Sequence, residues 1–387
     1  MHEQNKSENR RRLLFVAGGT GGHIYPAVAV RDAILKNSEN IEIRFVCGSR
    51  PLEKELYRRL GINPVVLKIS RIRSGAIGKA VSVWNLMKCS IRAAMFLRSW
   101  KPHRVVAFGG YVTAPALSAC RIFGTPFDLQ EQNSIPGRTN LWFSGGADTI
   151  YCSFRKAAEI FRERKSSADC LVTGLPLRSG LNGRSDEDET SSCEKFDLDP
   201  DLPVLLITGG SQGARNLYRG LLQVLKNLDK DENIPGFQCL WSAGKNNFDW
   251  LKQDLDKESL NRITVRLFSY IDDMNAAYAA ADVAVSRAGA GSVAELMVHR
   301  VPTVFVPLPY AIGNHQKLNA EEAVELDAAL IVEEGKDFEE RLEHALRTLL
   351  KKGERREKMS SAAENFAGKD AAELIAKNLQ KKVEISC

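Results

Sequence analysis

One strand-and-glycine turn occurs twice, far apart in the chain. Leu14-Phe15-Val16-Ala17-Gly18-Gly19-Thr20-Gly21-Gly22 aligns without a gap to Leu205-Leu206-Ile207-Thr208-Gly209-Gly210-Ser211-Gln212-Gly213. Each copy is a short apolar run with β-branched members, then paired glycines, then a stretch able to open a helix. Glycines let a backbone approach a ligand closely, and the N–H groups of a helix start, with its dipole, favour an anion. A chain with two such units is expected to hold a phosphorylated ligand between two similar domains.

Bulk properties agree and exclude little else. At 387 residues and 44% hydrophobic composition, the chain has material for two cores. Its 54 basic and 48 acidic side chains leave +6, which suits nucleic acid, an anionic membrane or an acidic substrate equally well. The 8 cysteines stand singly, with no C-x-x-C pair and no cysteine-histidine cluster at zinc spacing, so reduced thiols are expected. Acidic strings such as Asp186-Glu187-Asp188 and Asp254-Leu255-Asp256 sit in a polar linker or a charged helix, and no metal or other cofactor is expected. Met1 to Arg12 is polar and basic, and the apolar run after it stops at Gly18, which suits a first strand better than a signal peptide. The longest apolar stretch, Val105 to Cys120, is broken by Gly109, Gly110 and Pro115 before it reaches the roughly 18 residues of a spanning helix. Membrane contact, if made, is expected to be peripheral.

Strand-like runs at Leu13 to Ala17, Ile41 to Cys47, Val65 to Ile69, Val105 to Phe108, Thr149 to Cys152 and Cys170 to Thr173 alternate with helical patterns such as Pro26 to Lys36 and Lys79 to Trp100. The pattern resumes at Val204 to Thr208, Gln238 to Ser242, Ile263 to Phe268, Val283 to Ser286, Thr303 to Val306 and Ala329 to Val332. Such alternation predicts an α/β protein of two doubly wound, Rossmann-like domains, with ligands at the carboxyl ends of the strands and a central cleft between them. The boundaries read as 11–178 for the first domain, 179–201 for a polar linker and 202–367 for the second. A final helix, about 368–385, has the option of packing back on the first domain.

Four residue groups carry chemistry. His23 closes the first turn, where a side chain with a pKa near 6.5 suits a general base, or merely hydrogen-bonds its own turn. Ser211 and Gln212 offer a hydroxyl and an amide to phosphate or sugar oxygens, or serve as a helix cap. Arg287 followed by Ala290, Gly291 and Ser292 joins an arginine to an exposed helix start, a diphosphate site. Glu295 reads two ways: Ser292-x-x-Glu295 has the spacing of a capping box, favoured from spacing alone, and a carboxylate one turn into a helix also reaches ribose hydroxyls. Asn314, His315, Gln316 and Asn319 supply neutral hydrogen-bonding groups suited to a sugar. Neither glycine turn is a clean G-x-G-x-x-G, and Cys47-Gly48-Ser49-Arg50 stands where a dinucleotide fold ends its second strand in an acid, so hydride transfer is disfavoured. Between Arg71 and Trp100, Arg73, Lys79, Lys88, Arg92 and Arg98 interleave with Ile72, Ile77, Val81, Trp84, Met87 and Met95. That mixture suits an anionic bilayer surface, or an ordinary packed helix with solvated lysines.

Gly18 through Pro26, Phe108-Gly109-Gly110-Tyr111, Glu131-Gln132-Asn133, Gly209 through Ala214 and Arg287 through Glu295 occur in the same order as in a known family. On these motifs the chain resembles the bacterial MurG family, the UDP-N-acetylglucosamine:undecaprenyl-pyrophosphoryl-muramoyl-pentapeptide N-acetylglucosaminyltransferases. The resemblance implies a GT-B fold, acting at the cytoplasmic face of the cell membrane in peptidoglycan synthesis. It implies UDP-N-acetylglucosamine and lipid I as substrates, an anionic membrane surface and other cell-wall synthesis proteins as partners, and no nucleic acid. By motif position Thr20, Gly21, Gly22, Tyr111 and Asn133 would line the cleft, with His23 as catalytic base. Arg178, Ser211, Gln212, Ile271, Arg287, Ala290, Gly291, Ser292, Glu295 and Gln316 would hold the donor, Ile271 through its backbone. Gly174-Leu175-Pro176-Leu177 departs from the family, which usually has asparagine at the second position, and His315 stands where a glutamine can occur. A UDP-N-acetylglucosamine epimerase of GT-B fold and a non-catalytic UDP-sugar sensor are the alternatives; neither a lipid acceptor nor UDP release belongs to them.

Overall fold

The computed structural model describes residues 10–385 apart from 39, 69–75, 165, 179, 182, 184–185, 210–213, 352, 367 and 369. The chain forms two compact units, 1–179 with 370–387, and 180–369. In the first, strands β1 (Arg11–Ala17), β2 (Ile41–Cys47), β3 (Val65–Val66), β4 (Arg104–Gly109), β5 (Phe127–Glu131), β6 (Thr149–Cys152) and β7 (Asp169–Val172) make one sheet in the order β3-β2-β1-β4-β5-β6-β7. All its pairings are parallel. Helices α1 (Gly21–Asn37), α2 (Pro51–Arg59), α3 (Ala76–Trp100), α4 (Thr113–Phe123), α5 (Arg138–Phe143) and α6 (Arg155–Glu163) make the crossovers.

A parallel sheet covered on both faces needs strands that are apolar throughout, and Leu13 to Ala17 are fully buried accordingly. Phe15 packs edge-on to Phe45 at 5.6 Å and tilted against Phe108 at 5.1 Å. Strand order reverses between β1 and β4, so the loops leaving these two strands stand side by side. At that point the register slips: Val16 pairs with Ala107 but Ala17 with Gly109, which leaves Phe108 as an extra residue in β4.

Strand β5 is missing from the sequence reading. Phe127-Asp128-Leu129-Gln130-Glu131 alternates like a half-exposed segment, yet Asp128 and Gln130 are fully buried. Asp128 is paired rather than solvated: it meets Arg104 Nη1 at 3.0 Å and Lys382 Nζ at 2.8 Å, and accepts from Thr149 N at 3.0 Å. Burial pushes its carboxyl above the ordinary range and the two cations pull it back. Lys382 lies on the last helix, α15 (Ala371–Ile385), which packs on α1 in the first unit, where Tyr151 donates to Asn378 Oδ1 at 2.6 Å.

The second unit repeats the plan. Strands β8 (Val204–Thr208), β9 (Phe237–Ser242), β10 (Ile263–Phe268), β11 (Val283–Ser286), β12 (Thr303–Phe305) and β13 (Ala329–Ile331) form a parallel sheet ordered β10-β9-β8-β11-β12-β13. Before it, part of the stretch 179–201, read as a linker, is helical: α7 (Asp186–Lys195) carries buried Cys193, and buried Phe196 just beyond it packs edge-on to Phe268 at 5.8 Å. Its composition hid this, because the stretch is polar and acidic with few large apolar side chains. The remaining helices are α8 (Arg215–Asp229), α9 (Lys245–Leu255), α10 (Met274–Ala280), α11 (Ala290–Val298), α12 (His315–Glu325), α13 (Phe338–Leu350) and α14 (Glu354–Ala362).

Candidate active site

In the first unit, loops leaving β1, β4 and β5 converge on His23. Gly109 has φ +108° and Gly110 φ +89°. A Cβ on Gly109 would stand 2.7 Å from His23 Nδ1, and one on Gly110 would stand 2.2 Å from the Gly18 carbonyl oxygen. Only glycine lets these loops touch. His23 Nδ1 lies 2.9 Å from Gln132 Oε1, and Gln132 Nε2 donates to the Phe108 carbonyl. Burial holds the imidazole below its ordinary value, against the opposing effects of Gln132, the Phe108 carbonyl and the Glu53 charge.

The glycine pair does not face outward as a phosphate cradle. Gly18 N donates to Gly109 O at 3.3 Å, and Gly19 N donates to the carboxylate of Glu53, which is fully buried. A carboxylate behind the turn also repels an anion. Thr20, in extended conformation, is the N-cap of α1, and its carbonyl accepts from His23 N and Ile24 N at 3.2 and 3.3 Å. The donors left to this turn include those of the helix start, Gly21 and Gly22. Tyr111 points inward, donating to Glu53 Oε2 at 3.0 Å beneath the Arg50 guanidinium at 4.4 Å, and burial followed by the Glu53 charge pushes its phenol up to about 12. Sequence reasoning missed Glu53. Its one signal is an acid in the first turn of a helix opened by Pro51.

Asn133 is half-buried, and its backbone N–H donates to Glu131 Oε1 at 3.0 Å. Glu131 Oε2 accepts from Gly137 N at 2.9 Å and Asn140 Nδ2 at 2.8 Å, so this buried carboxylate frames the loop 132–137. Burial raises its pKa and these donors counter the rise. Arg178 lies with its guanidinium 4.7 Å over the Tyr25 ring, within the first unit.

In the second unit Ala290, Gly291 and Ser292 are the first three residues of α11, behind Gly289 as N-cap. Ser292 is therefore inside the helix, and the capping-box reading of Ser292-x-x-Glu295 fails: backbone bonding has already begun with Val293 N to Gly289 O at 2.9 Å. Glu295 instead accepts from the Tyr278 hydroxyl at 2.7 Å, and Tyr278 packs against His299 with ring centroids 4.9 Å apart. A Cβ on Gly291 would lie 4.0 Å from Glu295 Oε1, so the carboxylate runs beside the amides of the first turn. Three helix-start amides beside a carboxylate can hold a diphosphate and a diol together.

Arg287 is committed elsewhere. It is 5% exposed, meets Glu334 at 2.5 Å and donates to the carbonyls of Val306 and Pro307 at 3.1 and 3.2 Å. Its distance from Glu334 in sequence kept the partner hidden; while lining the cavity beside it, the guanidinium braces a loop. Gln316 does the same, accepting from Leu308 N at 2.9 Å, while Asn319 donates to Ala288 O at 3.2 Å. A cavity of about 500 Å³ opens beside the braced loop, lined by Arg215, Asn216, Tyr310 and Glu334 among others. Ile271 buries its side chain in the loop after β10. Ser211 and Gln212 lie outside the described residues.

Family comparisons bear on this geometry. The glycosyltransferase family 28 N-terminal domain matches residues 13–152, and the family 28 C-terminal domain matches residues 204–375. The UDP-N-acetylglucosamine--N-acetylmuramyl-(pentapeptide) pyrophosphoryl-undecaprenol N-acetylglucosamine transferase of Christiangramia forsetii is 35% identical over 373 residues, 96% of this chain and 98% of that protein. Its namesake from Lactiplantibacillus plantarum is 31% identical over 374 residues, 96% and 100% of the two chains. The crystal structure of Acinetobacter baumannii MurG superposes with a TM-score of 0.75 at 27% identity, covering 96% of this chain and 99% of that one.

The chain belongs to the MurG family. Both sheets, with their alternating helices, fit its GT-B architecture. A UDP-GlcNAc 2-epimerase from Neisseria meningitidis, bound to UDP-GlcNAc, covers 96% of this chain and 100% of its own with a TM-score of 0.64, but at 15% identity it shares the fold alone. The epimerase alternative is therefore not favoured over MurG.

Both His23 and His299 have their pKa depressed, with burial the first cause. Each is harder to protonate folded than unfolded, where the ring takes up a proton below about 6.5. The stability they contribute is complete above that value and is lost as pH falls toward the folded pKa. In an NMR titration the ring resonances of both histidines should pass their midpoints below about pH 6.5; a midpoint at or above that value would contradict the burial described.

Proposed function

We infer that the chain is an inverting N-acetylglucosaminyltransferase of peptidoglycan synthesis. It moves N-acetylglucosamine from UDP-N-acetylglucosamine to the 4-hydroxyl of the muramoyl sugar of lipid I, giving lipid II. The observation that carries this reading is the end-to-end match, at 31 to 35% identity, to transferases of that name. The GT-B epimerases, in contrast, match at fold level.

The second unit would hold the donor: the Ala290 to Ser292 amides on the diphosphate, Glu295 on the ribose, Ile271 through its main chain on the uracil, and Ser211, Gln212 and Gln316 on the remaining polar groups. Arg287 takes part by bracing the Pro307 loop. The first unit would hold the acceptor with Thr20, Gly21, Gly22, Tyr111 and Asn133. In the step itself the acceptor oxygen bonds to C1 of the sugar while the bond from C1 to the diphosphate oxygen breaks and its electrons leave with UDP. His23 takes the hydroxyl proton, a contribution of typically about 10²- to 10⁴-fold. Fixed amide dipoles meet the charge growing on the diphosphate.

Incubating the protein with labelled UDP-N-acetylglucosamine and a short-chain lipid I analogue should yield a β-1,4 disaccharide product and UDP. His23→Ala should cut turnover by about 10²-fold or more with UDP affinity kept. Isomerised free sugar without acceptor, or no UDP release, would refute the transferase reading, and full turnover by the variant would remove His23 from the chemistry.

Acting on a lipid-linked acceptor calls for work at a membrane surface, and the family resemblance implies the cytoplasmic face. Among the described residues no helix is long and apolar enough to cross one. Support for peripheral contact comes from α3, where Trp84, Met87, Ile91 and Met95 are each at least half exposed at helical spacing, flanked by exposed Lys88, Arg92 and Arg98. Arg71 and Arg73 lie outside the described residues, and Lys79 belongs to α3. Each basic residue near an anionic surface adds about 1 kcal/mol. Changing the four apolar residues to serine should abolish co-sedimentation with anionic phospholipid vesicles at an unchanged melting temperature; undiminished sedimentation would move the membrane contact off this helix.

A further inference from the structure

The amide chain behind His23 dictates more than the placement of the ring. The register slip between β1 and β4 leaves Phe108 out of the pairing, and its carbonyl accepts from Gln132 Nε2. A carbonyl oxygen can only accept, so the atom of the Gln132 amide that faces it is the nitrogen. The same nitrogen donates to Gln130 Oε1, while Gln130 Nε2 donates to the Glu131 carbonyl at 3.2 Å and to Ser153 Oγ at 3.0 Å. Two main-chain carbonyls therefore fix both amides, neither of which can flip without opposing oxygen to oxygen. Gln130 is fully buried and Gln132 is 4% exposed, so water is a poor substitute for either bond.

Gln132 Oε1 is the side-chain atom of this network that faces the ring, beside the Phe108 carbonyl. Gln132 Oε1 lies 2.9 Å from His23 Nδ1 and can only accept, so Nδ1 carries the proton and Nε2 carries the lone pair. We propose that Gln132 is the positioning residue of the transfer reaction, locking His23 in the Nδ1–H tautomer with Nε2 as the proton-accepting atom. Its neutrality matters as much as its geometry. A carboxylate in that place would stabilise the imidazolium and make the ring a charged species closer to neutral pH, whereas an amide orients the ring and leaves it unprotonated. The proposal rests on His23 as the base, and when Nε2 takes the acceptor proton the Nδ1–H to Oε1 bond persists. Glu53, on α2, is the charged group acting on the ring, and it is common to the wild type and the variants below. Tyr111, itself bonded to Glu53, titrates far above the range concerned.

The direct test is the ring itself: long-range nitrogen-proton NMR of the full chain, with ¹⁵N-labelled histidine and His23→Ala to assign the signals. The expected spectrum at pH 7.5 has a protonated Nδ1 and an unprotonated Nε2 for His23; a protonated Nε2 overturns the proposal without any reference to activity. Two variants then separate orientation from charge. Gln132→Met should mix the tautomers and lower kcat by roughly 10- to 10³-fold at an unchanged KM for UDP-sugar, since the ring is no longer aimed. Gln132→Glu should keep the Nδ1–H tautomer but raise the acidic limb of the pH profile of kcat/KM by a unit or more. Unaltered tautomer and kcat in Gln132→Met, or an unmoved limb in Gln132→Glu, would overturn it. If His23→Ala keeps full turnover, the base reading fails, and the wild-type spectrum still decides the tautomer lock.

Discussion

Where parallel strands end, the ladder stops supplying partners, and the buried main-chain groups of the emerging loops must find others. In this protein buried side chains supply them. Glu53 takes the Gly19 amide, Glu131 takes the amides of Asn133 and Gly137, and Gln132 donates to the Phe108 carbonyl. In the second unit Arg287 holds the carbonyls of Val306 and Pro307, and Gln316 accepts from Leu308. An unmet buried group costs about 1–3 kcal/mol, so each loop has one conformation that satisfies its polar atoms and few competitors. The sites are preorganised because their loops have no cheap alternative.

That constraint divides the work between residues that face the ligand and residues that hold them. Gln132 and Arg287 belong to motifs that look ligand-facing, and the structure gives both of them buried protein partners. Conversely, Glu295 is relieved of helix capping by Gly289, which leaves its carboxylate to run beside the first-turn amides with Tyr278 as its anchor. The glycine turns tell the same story. Their role is close approach: Gly110 admits the Gly18 carbonyl, and Gly109 admits the His23 ring, at distances no side chain would tolerate.

Both sheets were legible in the sequence because parallel strands buried on two faces announce themselves as apolar runs, as Leu13 to Ala17 and Val204 to Thr208 do. Strand β5 was not, since Asp128, Gln130 and Glu131 look solvent-facing until Arg104, Lys382 and Ser153 are brought beside them by distant parts of the chain. The helix over 186–195 was hidden by sparse apolar residues behind an acidic start. Motif order singled out candidate site residues by type, but not their orientation. Spacing drew attention to His23 and favoured a capping role for Glu295; it could not reveal which partner each would meet, because Gln132 and Tyr278 reach them only through the fold.

The account predicts an asymmetry: anion binding by helix-start amides, above all those of Ala290 to Ser292, and none by the Gly18 and Gly19 amides, which are already bonded. A crystal structure with uridine diphosphate tests this most directly. The diphosphate should lie against the first turn of α11 with Glu295 on the ribose, and Gly19 N should remain on Glu53. A phosphate bound by the Gly18 and Gly19 amides, with the Glu53 carboxylate displaced, would contradict it.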